Sequence, residues 1–243
     1  GRHAQILHNA LQSEFTCKAL EQNGKPAGVF TVLMICSLKA YKGVREYAGV
    51  ASRLPQYRFM LVLNATEPAI SDFFKGETLP ANLEIFPAQA DVHPFYMQAD
   101  IVMNMSLPAQ WVETFGMTIL EAMYYKKPAI IPCTGGITEL VTDGVEGYQV
   151  NPRDIDEVSQ LVSNLANDTA LYQRMSAHAF SKARQFSFQA FAQGITHTFR
   201  ELSKHGMTDA GQQPEPVGTD VSDFGTKSKI RKRRAQPAYR DVL

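Results

Sequence analysis

The chain has 243 residues, 44% of them apolar and 20% charged. These proportions are ordinary for a globular protein. The length suits one sizeable α/β domain with additions and is short for two domains of about 100–200 residues each. Lys and Arg number 24 against 24 Asp and Glu, so no whole-chain field points to nucleic acid. The tail from 207 to 243 carries seven basic and five acidic residues, a small local surplus.

Cys17, Cys36 and Cys133 are far apart and fit no paired-cysteine or zinc spacing. Cys36 and Cys133 lie in apolar runs and read as small buried residues in a reducing compartment. No secretory signal is visible, and no apolar run approaches the roughly 18–20 residues of a membrane span. The chain begins at Gly1 rather than Met, so a piece of a longer polypeptide is expected.

Residues 1–28 read as a lead-in or linker segment. Apolar Ala4 to Leu7 precedes His8, and Asn23-Gly24-Lys25-Pro26 is turn chemistry. A rhythm then begins. Residues 29–37 form a nearly continuous apolar and β-branched run, as in strands buried on both faces. Residues 43–54 have helical spacing, 57–64 form a second strand, and 68–75 a short helix. Residues 83–86 are a third strand, 92–99 a short helix, 100–105 a fourth strand and 116–125 a helix. Residues 128–132 and 147–150 complete six strands. Such alternation predicts a parallel sheet with helices on both faces. Ligands of such sheets sit at the carboxyl ends of the strands.

After residue 151 the strands stop. Asp154 with Glu157 resembles a capping box. Asp168 and Ser187 can cap two further helices, the last with Phe188, Phe191, Ile195, Phe199 and Leu202 along one stripe. Residues 29–205 thus form one domain. Residues 206–243 read as a disordered linker with a basic run from Lys227 to Arg234. Besides a solvated linker, that run fits attraction to an anionic membrane surface, at about 1 kcal/mol per basic residue. It lacks any base-reading motif.

The chemistry concentrates in residues 113–123, Glu113-Thr114-Phe115-Gly116-Met117-Thr118-Ile119-Leu120-Glu121-Ala122-Met123. A helix starting near Gly116 directs free amide hydrogens at whatever lies ahead, and with its dipole forms an anion site. A diphosphate fits there. Glu121 lies inside an apolar helical pattern, where a buried unpaired carboxylate is costly. Two vicinal ribose hydroxyls would satisfy it. Alternatively it faces water or pairs with Lys126 or Lys127. Glu113 precedes the helix and points into the expected cleft, although an acid near a helix start is also favoured by the dipole alone. Gly135-Gly136 after the fifth strand reads equally as a close approach to a ligand or a tight turn. His93 reads as structural.

From residue 28 to about 202 the sequence resembles the C-terminal domain of the group 1 (family 4) glycosyltransferases, which pair two Rossmann-like domains in the GT-B architecture. The motifs that carry the likeness occur in order. They are Ile35-Cys36-Ser37-Leu38 with Lys42-Gly43; Phe95-Tyr96-Met97-Gln98-Ala99-Asp100; the acid pair Glu113 and Glu121; Lys127-Pro128-Ala129-Ile130 with Gly135-Gly136-Ile137-Thr138-Glu139; and Asp143-Gly144-Val145-Glu146-Gly147-Tyr148. The resemblance implies a Rossmann-like doubly wound parallel sheet, one half of a GT-B fold, with C-terminal helices.

It also implies transfer of a sugar from a nucleotide-diphosphate sugar to a glycan or lipid-linked acceptor, with retention and with no cofactor or metal. The acceptor-binding N-terminal domain is expected elsewhere, and the location cytoplasmic, with peripheral contact at the inner face of the membrane. Residue by residue, Lys42 would contact the diphosphate and Glu121 the ribose. Glu113 and the amides around Phe115, Gly116, Met117 and Thr118 would contact sugar and phosphate. Many family members carry Arg where Ser37 stands. Here Lys39 or Arg45 substitutes, or the partner domain supplies the charge, or phosphate binding is weaker. A non-catalytic nucleotide-sugar-binding module would tolerate Glu113→Ala, and a sugar-nucleotide epimerase of this architecture would carry a different motif set.

Overall fold

Six of the apolar runs become the strands of one parallel sheet in the computed structural model, which describes residues 8–21 and 28–206. The strands are β1 (Thr31–Ser37), β2 (Arg58–Asn64), β3 (Leu83–Phe86), β4 (Ile101–Met103), β5 (Ala129–Pro132) and β6 (Gly147–Val150). Their order is β3-β2-β1-β4-β5-β6, the doubly wound Rossmann order. The helices are α1 (Ser13–Leu20), α2 (Val44–Arg53), α3 (Glu67–Phe73), α4 (His93–Gln98), α5 (Met117–Tyr124), α6 (Ile155–Asn167), α7 (Thr169–Ala183) and α8 (Phe188–Gly206).

Alternate strand residues feed two cores. Leu33, Met60, Val62, Val102, Ala129 and Ile131 pack with Tyr96, Ile119, Leu120 and Met123 on one face. Val32, Met34, Phe59, Leu61, Ile101, Met103 and Ile130 pack with Tyr47, Val50, Val158 and Val162 on the other. Burial on both faces explains why the strands read as continuous apolar runs rather than alternating ones.

The ladder pattern opens the crevice. β1 pairs with β2 along its whole length, Thr31 with Arg58 through Ser37 with Asn64. Against β4 it pairs only at Val32–Ile101 and Leu33–Val102. Beyond that point Asn104 donates its amide to the Ile130 carbonyl on β5 at 2.9 Å. β1 and β4 therefore part at the carboxyl edge, at the topological switch point.

The segment read as lead-in contains α1, with Leu11 and Ala19 buried and Phe15 packed on the same core. Apolar residues four apart make one helix face. Gln12 at the N-cap makes no side-chain cap, so the usual start signal is missing. Ala4–Leu7, residues 23–26 and the tail with its basic run lie outside the described residues. The chain forms one unit to Ile195 and another from Thr196; of the latter, the structure describes the end of α8. No helix among the described residues is long and apolar enough to cross a membrane.

The closing helices start where their caps stand. Asp154 accepts from the Glu157 amide at 3.0 Å, Asp168 from the Leu171 amide at 2.9 Å, and Ser187 from the Ala190 amide at 3.2 Å. Asp154→Ala and Asp168→Ala should each lower stability by about 1 kcal/mol in denaturant unfolding, and the double variant by the sum, since each cap serves a different helix.

Candidate functional site

Three loops converge at the opened edge. The first leaves β1 and makes a single 3₁₀ turn at Ala40–Lys42. Gly43 follows with φ 71°, and a Cβ there would lie 2.0 Å from the Met105 carbonyl oxygen. Only glycine lets this loop rest on the chain leaving β4. The second loop runs from β4 to α5 and is tied to the first where the Leu107 amide donates to the Tyr41 carbonyl at 2.8 Å. The third follows β5. A Cβ on Gly136 would lie 1.9 Å from the Thr114 carbonyl, and one on Gly135 2.4 Å from that of Glu113. The glycine pair thus serves close approach to the backbone that carries Glu113.

These contacts bring Lys42 and Glu113 together. Lys42 Nζ donates to Glu113 Oε2 at 2.7 Å, with the side chains only 15% and 16% exposed. Ser37, the last residue of β1, is partly buried nearby in sequence. Beneath the loop, burial pushes the Cys36 thiol up to about 12 despite the pull of Lys42. It is therefore neutral and not a nucleophile. Cys133 is exposed rather than buried, because β5 ends at Pro132 and residue 133 already belongs to the loop. Arg45, one of the candidates for a second phosphate cation, is engaged on the side of α3. Its guanidinium donates to Glu77 and to the Phe73 carbonyl and lies 4.3 Å from the Phe73 ring centre.

Helix α5 begins at Gly116, φ 90°, with no side chain capping its first amides. The Phe115 ring is buried, near Phe186 and His8, so only its backbone faces the site's chemistry. Met117 and Thr118 are partly buried in the first turn. Further along α5, Glu121 accepts from the Tyr96 hydroxyl at 2.6 Å. That hydroxyl also lies 3.2 Å from the Thr118 carbonyl. Burial raises the Glu121 carboxyl above its usual 4.5, and the Tyr96 hydrogen bond pulls the other way. Lys126 instead lies 5.4 Å from the Phe180 ring centre.

Tyr96 is the residue whose role the sequence left unassigned. It is fully buried and stacks on Tyr125 at 5.5 Å, and Tyr125 in turn meets His93 Nδ1. His93 stacks on Phe15, and burial lowers its pKa, consistent with a neutral, structural ring. Asp100 of the same motif accepts from the Thr31 amide at 2.7 Å. It therefore anchors the amino end of β1, at the opposite edge from the crevice. Among the described residues no three His, Cys, Asp or Glu side chains are grouped as a metal would need.

A Rossmann-like sheet with polar residues gathered at its switch point defines the class. The family described as Glycosyl transferases group 1 matches residues 17–182, more than half the chain, and the chain belongs to that family. It is 34% identical over 91 residues to alpha-1,3/1,6-mannosyltransferase ALG2 of Dictyostelium discoideum, covering 37% of this chain and 21% of that one. Alr3699/HepE of Anabaena, solved in complex with UDP and glucose, superposes with a TM-score of 0.64 at 24% identity, covering 78% of this chain and 53% of that one. The C-terminal domain of a group 1 glycosyl transferase family protein (LpcC) from Francisella tularensis superposes with a TM-score of 0.55 at 20% identity, over 77% of this chain and all of that one. The match thus spans about half of HepE and a smaller share of ALG2.

Glu121→Gln keeps an oxygen for Tyr96 and removes a desolvated charge. A raised carboxyl pKa means that ionisation costs folding stability above it. At pH 7 this variant should therefore unfold at higher denaturant than the native chain. The difference should begin to shrink as the pH falls through the raised Glu121 pKa and be gone below the ordinary carboxyl value of 4.5, where the carboxyl is protonated in both folded and unfolded chains. Tyr96→Phe, which strips the carboxylate of its donor, should lower stability by about 1.5 kcal/mol at pH 7. Urea unfolding of the three proteins at pH 7 and pH 4 checks both signs.

Proposed function

We propose that this chain is the donor-binding half of a glycosyltransferase that moves a sugar from a nucleotide-diphosphate sugar to a glycan or lipid-linked acceptor, with retention and without a metal. The acceptor half lies in the remainder of the enzyme. The observation that carries the reading is the Lys42–Glu113 pair beside the uncapped start of α5.

A diphosphate entering the crevice offers Lys42 a stronger partner than Glu113. Lys42 moves to the phosphates, which also accept from the amides of Phe115, Gly116, Met117 and Thr118. Ser37 adds one hydrogen bond without charge. Glu121, held by Tyr96 through one oxygen, presents the other to the ribose hydroxyls. Glu113, released from Lys42, accepts from hydroxyls of the sugar. Gly135 and Gly136 hold the Glu113 backbone in place.

In the reaction the bond between the anomeric carbon and the phosphate oxygen breaks, and its electron pair stays on the leaving diphosphate. The acceptor hydroxyl oxygen forms the new bond to the anomeric carbon, and its proton passes to the departing diphosphate oxygen. The charge growing on the diphosphate meets Lys42 and fixed amides. Preorganised donors of this kind can each be worth about 100–1000-fold in rate.

Calorimetry with UDP, GDP and ADP tests the reading. At least one should bind at millimolar concentration or below, equally in the presence of EDTA. Lys42→Ala should weaken that binding by about 10–100-fold, with folding checked in parallel by unfolding. Absence of binding by all three nucleotides contradicts the assignment.

A further inference from the structure

The lip of the crevice carries an aromatic pair to which the donor reading assigns no role. Trp111, the single tryptophan of the chain, is 45% exposed, and Val112 beside it 49%. The Trp111 ring stacks on Tyr41, with centroids 5.3 Å apart and planes at 22°. Scattered exposed apolar side chains need no explanation, but this pair is firmly mounted. The Gln110 and Trp111 amides both donate to the Leu107 carbonyl at 2.9 Å, and the Leu107 amide is clipped to Tyr41. The platform is thereby fixed relative to Lys42, whose Nζ lies 5.6 Å from the Trp111 ring centre, and stands two residues before Glu113.

We infer that Trp111, backed by Tyr41, is the stacking platform for a pyranose ring of the acceptor. The inference rests on the donor assignment above. A pyranose has an apolar C–H face and a rim of hydroxyls. The negative face of the indole suits C–H groups polarised by neighbouring oxygens. Exposure selects the acceptor, since Trp111 is 45% exposed where the Lys42 and Glu113 side chains are only 15% and 16%.

Because Trp111 is the lone tryptophan, its emission reports this lip alone. The full chain is titrated with methyl α-D-glucopyranoside and methyl α-D-mannopyranoside, and separately with UDP, GDP and ADP. Saturation-transfer NMR with the glycosides is run on the native chain, Trp111→Phe and Trp111→Ala. At least one glycoside should shift the emission with a millimolar midpoint and receive saturation on its ring C–H protons. Trp111→Phe should keep that transfer, and Trp111→Ala should lose about tenfold in glycoside affinity, a larger loss than it shows for any of the three nucleotides. Equal transfer in the native and Trp111→Ala chains overturns the platform. So does nucleotide binding with no response to either glycoside, which leaves the donor assignment standing and makes the pair a contact surface for the rest of the enzyme. A Trp111-dependent glycoside response without binding of any nucleotide supports a sugar platform and sinks the donor assignment instead.

Discussion

The shortness of the β1–β4 ladder is the constraint from which the site follows. After Leu33 pairs with Val102, β1 continues to Ser37 while β4 ends at Met103. Backbone that would otherwise have been laddered is left to loops. Those loops carry Lys42 on one lip and Glu113 on the other. Neither side chain is well solvated, and a half-buried charge without a partner is destabilising. Each therefore neutralises the other, and in the proposed arrangement an incoming diphosphate competes for the lysine.

Much of the surrounding structure supports that pair and touches no ligand in the proposed arrangement. Gly43 and Gly136 allow backbone to meet backbone where any Cβ would collide, so the three loops share one rigid junction. Tyr96 sits beneath Glu121 and directs one of its oxygens, while Tyr125, His93 and Phe15 fill the space behind it. The raised Glu121 carboxyl is a stability cost, as expected of the ribose-binding acid proposed above, where binding needs a group the fold would rather not charge. Asp100, by contrast, holds the amino end of β1, so one short motif divides its residues between opposite edges of the sheet.

The legible features were those whose cause is local. Strands buried on both faces declare themselves as apolar runs, and Asp154, Asp168 and Ser187 cap the helices they precede. Glu113 and Glu121 stood out because acids next to Gly116 or amid Ile119, Leu120 and Ala122 conflict with their neighbours unless a site explains them. The features missed depend on distant partners. Helix α1 has no side-chain cap, and Phe15 and Ala19 on it, with Leu11 just before it, gain meaning only against the core. Cys133 looked buried because the end of β5 cannot be read to the residue. Arg45 looked available until Glu77 and Phe73 came to it from α3 and its following loop. The Tyr96–Glu121 bond spans 25 positions, and the Tyr41–Trp111 stack needs two loops to meet.

The claim beneath the functional account is that the start of α5 and Lys42 together hold a diphosphate. Backbone amide shifts of the isotope-labelled chain, followed during titration with inorganic pyrophosphate, test it most directly. The account predicts saturable movement of the Gly116, Met117 and Thr118 amides together with those around Lys42. Shifts that leave the α5 amides untouched while pyrophosphate gathers on surface lysines such as Lys39 or Lys126 would contradict it.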